Sequence, residues 1–238
     1  MSQSCIRPEE CRTLQELFEA WKNKQKNEEP DSPNASTFPE GIIEAQNFKE
    51  SFCVDGFTSA KGRECPYIVH ENRPLFILKE ANVTDRNEKN VIKENGHGFW
   101  FNDKPEERGK YKKILICLDV LKVSKDQPFG YMNLNKRGGF GRTYQSRLSN
   151  YVIKYREFIR QQIAIMKPSV IICCGCYDVF MRDCYSKTTW RNLDKPHQTI
   201  QFESNSREIP VYYVYHPAAR GNYEKNITEM LKKQIGNK

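Results

Sequence analysis

Three short stretches place polar residues where an apolar run stops. "PLFILKEA" (74–81) ends in Lys79, Glu80 and Ala81, with Asn82 next. "PFGYMNLNK" (128–136) ends in Asn133, Leu134, Asn135 and Lys136, and "PVYYVYH" (210–216) ends in His216, followed by Pro217 and two alanines. A carboxylate can exchange a proton, an amide can both donate and accept hydrogen bonds, and an imidazole can do either near neutral pH. One of each at three strand ends looks like a site. Each has a plainer role open to it. Glu80 could cap a helix or sit in a salt bridge, and His216 could be satisfied by backbone or ligate a metal. Asn135 rivals Asn133, because it lies two residues on and so shares one face of a strand.

The elements that must position these groups follow from apolar spacing. Leu14, Leu17, Phe18 and Trp21 predict an amphipathic helix over 12–26, followed by a loop rich in Pro, Asn, Ser and acids over 27–41. Residues 42–72 carry no clear pattern. Strands are expected at 74–81, 128–136, 169–175, 199–203 and 210–216, with helices at 110–123, 146–166, 177–184 and 222–235. Strands alternating with helices predict an α/β fold, a three-layer α/β/α sandwich with a short, mainly parallel central sheet. Ligands of such sheets sit outside the carboxyl ends of the strands, where Glu80, Asn133 and His216 stand. The expected division is an N-terminal helix with an irregular extension over 1–65 and an α/β domain over 66–238.

Charge bears on partners. The 238 residues carry 38 Lys and Arg against 30 Asp and Glu, a net charge of +8. That excess favours a polyanionic partner but also suits an ordinary solvated surface. No apolar run reaches the roughly 18–20 residues that span a bilayer. The N-terminal stretch has no apolar secretory core, so a cytoplasmic protein without a membrane partner is expected. Nine cysteines are many for that compartment. No histidine stands at ligand spacing beside Cys173, Cys174 and Cys176, so no metal is expected and the thiols are read as small apolar residues.

Taken together, "LFILKEAN", "GHGFWF", "YMNLNKRGG", "MKPSVIICCG" and "VYYVYHPAAR" resemble, in order and spacing, the motifs of the uracil-DNA glycosylase superfamily. They look most like the branch whose first motif is Gly-Glu-Ala-Pro-Gly and whose last is His-Pro-Ser. The resemblance covers about residues 70–235, with individually weak motifs that are moderately specific as a series. It implies excision of uracil or a related damaged base from DNA by base flipping and hydrolysis of the N-glycosidic bond, by a monomer without a cofactor. Nuclear or nucleoid association would follow. By position, Glu80 matches the catalytic glutamate and Ala81 and Asn82 complete its base-binding loop. Phe99 matches the aromatic that stacks on the flipped base, Asn133 the amide that reads its edge, and His216 the group that stabilises charge on the base oxygen. Residues 218–222 match the loop that enters the duplex.

The chain departs from that pattern at Lys79, where the family has glycine, at Asn82, where it has proline, and at Ala218, where it has serine. Arg137 stands where a cluster-ligating cysteine would follow Lys136, so no iron–sulfur cluster is expected. The bulky wedge is missing unless Arg220 or Tyr223 supplies it. Trp100 and Phe101 adjoin Phe99, and aromatics in such a run are usually core. "NKRGGFGR" (135–142) reads as a phosphate-gripping loop in which Lys136, Arg137 and Arg142, with Arg220 beyond, contact DNA. It lacks the Gly-Lys-Ser/Thr ending of a nucleotide triphosphate loop. Two other readings stand beside excision: a non-catalytic member that binds nucleic acid or protein, and a hydrolase of small nucleosides or nucleotides.

Overall fold

The computed structural model describes residues 7–28, 50–58, 67–83, 109–139, 143–187, 198–201, 207–219 and 223–236. Six strands form one mixed sheet: β1 (Gly56–Phe57), β2 (Pro74–Asn82), β3 (Gly130–Gly139), β4 (Val170–Cys174), β5 (Gln198–Gln201) and β6 (Glu208–Val214). Their spatial order is β1-β3-β2-β4-β6-β5. The helices are α1 (Leu14–Lys26), α2 (Gly109–Val120), α3 (Gln145–Met166), α4 (Tyr177–Val179) and α5 (Tyr223–Gly236). The fold is α/β. No described helix is long and apolar enough to cross a membrane.

The chain divides into two compact units. One takes the described parts of Met1–Asp55, Lys79–Gly98 and Asn133–Ile165, the other those of Gly56–Leu78, Phe99–Met132 and Met166–Lys238. The N-terminal helix is part of the first unit rather than an appendage.

In the second unit, β4 is buried along its whole length, because its five residues offer no polar face. It pairs in parallel with β2 (Leu75 opposite Ile171) and with β6 (Ile172 opposite Tyr212). Antiparallel pairs, β1 with β3 and β5 with β6, complete the order. One face, carrying Phe76, Ile172, Cys174, Tyr212 and Val214, is covered by Ile114 and Leu118 of α2 and by Ile227 and Leu231 of α5. On the other, Tyr213 meets Tyr177 with ring centroids 5.3 Å apart. The segment expected as one short helix at 177–184 is a single α-turn that widens into a π-helix over Phe180–Cys184. Gln234 of α5 accepts from the Tyr213 backbone N–H at 3.0 Å and donates to its carbonyl at 2.8 Å, as a neighbouring strand would.

In the first unit, α1 starts at a reciprocal cap. The Thr13 hydroxyl accepts from the Glu16 N–H at 3.2 Å, and the Glu16 carboxylate accepts from the Thr13 N–H at 3.0 Å. Leu17, Phe18 and Trp21 line its buried face. The Trp21 ring lies 5.3 Å from Phe158, 6.1 Å from Tyr155 and 5.9 Å from Phe52, which joins α1 to α3 through aromatic contacts. The apolar spacing of 146–166 predicts one helix; α3 instead breaks helical geometry at Tyr155 (φ −113°, ψ 18°). No proline or glycine causes this break. The Tyr155 hydroxyl donates to Glu28 at 2.6 Å.

Candidate functional site

The carboxylate at the end of β2 sits in a polar cluster within the first unit. The side chains of Glu80 and Arg147 are 4% and 5% exposed and form a salt bridge, from Arg147 Nη2 to Glu80 Oε2. Asn135 Nδ2 donates to the same oxygen at 2.8 Å and to the Gly138 carbonyl at 3.2 Å, while its Oδ1 accepts from the Arg137 N–H at 3.0 Å. Arg147 Nη2 also donates to the Gly138 carbonyl at 2.9 Å. The other carboxylate oxygen, Oε1, is buried without a hydrogen bond among the described residues. It lies against Gly139, where a Cβ would collide with the carboxyl group and stand 2.9 Å from Arg147 Nη2. Burial pushes the Glu80 carboxyl above its ordinary pKa, against the pull of the Arg147 guanidinium and of Asn135 and Thr143.

The same contacts separate the two asparagines. Asn135 is committed to Glu80 and to its own turn. Asn133 is held by its backbone, whose N–H donates to Asp55 Oδ2 at 2.6 Å. Ala81 is buried, and its carbonyl lies 3.1 Å from where a Cβ on Gly138 would stand. Gly138 takes φ +85°, a conformation that favours glycine. It lets β3 end beside β2, where the Val83 N–H donates to the Gly139 carbonyl at 3.0 Å.

The described part of the expected phosphate-gripping segment, 135–139, does not present its charges to solvent. Residues 135–139 are strand, and both basic side chains point inward. Lys136 is completely buried; its Nζ reaches both oxygens of Asp55 at 2.6 Å and lies 5.4 Å from the Trp21 ring centroid and 5.6 Å from that of Phe18. Gln162 donates to Asp55 Oδ1 at 2.8 Å. Burial lowers the Lys136 pKa, and the Asp55 carboxylate opposes that. Arg137 donates to the carbonyls of Gln25 (3.1 Å) and Glu28 (3.3 Å), closing the C-terminal end of α1, where a cation also suits the helix dipole. Neither residue can meet a DNA phosphate from these positions. An interior carboxylate and the end of a helix claim the two charges that the sequence reading assigned to DNA.

His216 belongs to the second unit. The strand that delivers it ends at Val214, two residues earlier than expected, so the imidazole stands on the turn that follows. The Ala219 N–H donates to the His216 carbonyl at 2.8 Å, closing a turn with Pro217 at its second position. The Ala218 N–H donates to His216 Nδ1 at 3.1 Å. An imidazole that accepts at Nδ1 carries its proton on Nε2, which makes Nε2 the donor. Lys113 of α2 donates to the Ala219 carbonyl at 2.8 Å and holds the far end of the turn.

Phe99, Arg142, Arg220 and the part of the duplex-entering loop after Ala219 lie outside the described residues, as does the Asn82 side chain. Sequence reasoning did not find Arg147 or Asp55. Arg147 opens α3 without any local motif, and Asp55 lies in a stretch with no periodic pattern. It also took no Cys-x2-Cys pair to be present, but Cys173 and Cys176 have that spacing. Both thiols are buried, Cys176 Sγ donates to the Ile77 carbonyl at 3.3 Å, and burial raises the Cys173 pKa, as does its contact with Cys176. Among the described residues no group of three or more His, Cys, Asp or Glu is placed to hold a metal ion. No protein-family model matches the chain, and no curated protein matches it.

Proposed function

We propose that the protein hydrolyses the N-glycosidic bond of uracil or a related damaged base in DNA, with the base turned out of the helix. The observation that carries this reading is Glu80: a buried carboxylate at the carboxyl end of β2, with one oxygen held by Arg147 and Asn135 and the other without a hydrogen bond. A buried polar atom without a partner invites a bound water. In the reaction, the oxygen of that water bonds to the anomeric carbon as the C–N bond breaks. The base leaves with the bonding pair, and the water's proton passes to the carboxylate. On the resemblance, His216 would donate to the base oxygen as charge develops there, and a donor of this kind contributes about 2.7–4 kcal/mol. The amide of Asn133 suits a pyrimidine edge. The net charge of +8 suits the polyanion.

A second reading, a non-catalytic binding protein, draws on two observations. The Glu80–Arg147 pair has the form of a structural ion pair, and Lys136 and Arg137 are unavailable to phosphates.

The test is incubation of purified protein with end-labelled oligonucleotides carrying one uracil, single-stranded or opposite guanine or adenine, followed by hot alkali to cut abasic sites. Under the first reading, strand cuts appear at the uracil, Glu80→Gln abolishes them, and His216→Ala slows them by about 10²–10³-fold. Salt-sensitive DNA binding without cuts selects the second reading. If binding is absent as well, a nucleoside hydrolase on small substrates is the reading left to assay.

A further inference from the structure

We infer that Arg147 and Asn135 are positioning residues for Glu80: they occupy Oε2 together and leave Oε1 as the single atom through which this carboxyl can exchange a proton or hold a water. The inference rests on Glu80 being the group that acts on substrate. Its geometric basis is independent of what that substrate is. Two N–H donors converge on Oε2, from α3 and from β3. An oxygen that accepts two such donors has little room for a proton of its own, so a proton on this carboxyl resides on Oε1. Oε1 is buried without a hydrogen bond among the described residues, and it occupies the place that a side chain at 139 would take. Thr143 lies close enough to favour the charged form but makes no hydrogen bond of ordinary geometry to Oε1.

Among the described residues the charged and titratable groups around the carboxyl are few. Arg147 faces it from α3 and Cys53 from the segment before β1, and the Cys53 thiol stays protonated, pushed up to about 12 chiefly by burial. From β3 come only the Asn135 amide and the Gly138–Gly139 backbone. Among the described residues Arg147 is therefore the one cation that acts on Glu80, and Asn135 fixes which oxygen is engaged.

The experiment follows the Glu80 carboxyl directly, by carbon-13 NMR of glutamate-labelled protein across pH, with its signal assigned by its loss in Glu80→Gln. The variants are Asn135→Ala, Arg147→Lys and Arg147→Gln, each also assayed for base release across pH. The expected result is that the Glu80 titration moves to higher pH in Asn135→Ala and further in Arg147→Gln. Arg147→Lys, which keeps the charge without the planar fork, restores part of the shift. The pH–rate limb moves by the same amount as the titration. Asn135→Ala keeps Arg147 in place and carries the test if Arg147→Gln does not fold. A Glu80 titration that ignores the folded variants overturns the inference, whether or not the protein cuts DNA. A titration that moves in a protein without turnover upholds the positioning and removes the glycosylase reading instead.

Discussion

Lys136→Met separates the two roles that a lysine in this motif could have. A phosphate contact would show as weaker DNA binding, with a salt slope reduced by about 1, and little change in stability. The structure calls for the opposite. Lys136 and Asp55 are both fully buried, with Nζ 2.6 Å from each carboxylate oxygen. Among the described residues, removing the cation leaves Asp55 with the Asn133 N–H and the Gln162 amide. Breaking a buried pair from one side costs about 3–5 kcal/mol, because the remaining charge has no counterion. In a domain of this size that lowers Tm by about 6–20 °C. Lys136→Met with Asp55→Leu removes both charges, leaves two donors without an acceptor at about 1–3 kcal/mol each, and recovers only part of the loss. Urea unfolding followed by circular dichroism reads all three proteins, with DNA binding measured across salt in parallel. A Lys136→Met protein within about 1 kcal/mol of wild type would refute the buried pair, since so small a loss is typical of surface pairs.

Other substitutions probe the remaining contacts. Arg137→Ala removes the hydrogen bonds to the Gln25 and Glu28 carbonyls; charge-assisted bonds of this kind contribute about 1.5–3 kcal/mol, and hydrogen exchange is expected to rise first in the last turn of α1. Gly139→Ala puts a methyl group into the Glu80 carboxyl, and base release should fall with Glu80 and its donors all still present; unchanged turnover would mean the carboxyl is not held against Gly139. The Glu80 pKa is raised, so its contribution to stability is complete below the unfolded-state value near ~4.3 and is lost as pH rises through the folded-state value. Wild type should therefore lose stability relative to Glu80→Gln over that interval, as read by urea midpoints at successive pH values. Cys53 and Cys117, both pushed up to about 12 by burial, should resist thiol labelling in the native protein and react on unfolding, as mapped by peptide mass.

The fold was legible because its signals are local. β4 is a run of apolar residues with no polar face, and α1 announces itself through the spacing of Leu14, Leu17, Phe18 and Trp21. The positions of Glu80 and His216 just past apolar runs followed from the same pattern. What the pattern could not give was the partner of each charge. Lys136 and Arg137 stand beside two glycines, and by composition that is an anion-binding loop. Their fate depends on Asp55, 81 residues earlier, and on the carbonyl end of α1, 112 residues before Arg137. Arg147 likewise lies 67 residues from Glu80.

The same reasoning bears on the first motif. Lys79 and Asn82 flank Glu80 where the resembling family has glycine and proline, residues that shape a loop through the backbone. Here the glutamate's surroundings are shaped from elsewhere, by Gly138 at φ +85°, by Gly139 against the carboxyl and by Arg147 above both. Backbone freedom that the first motif lacks is present at the end of β3, in contact with the same side chain. A glycine at position 79 should therefore change little at the carboxyl, whereas an alanine at 138 or 139 should displace it. Lys79→Gly beside Gly138→Ala, each followed through the Glu80 NMR signal, decides between the two. A shift with Lys79→Gly and none with Gly138→Ala would return the control of this carboxyl to its own motif.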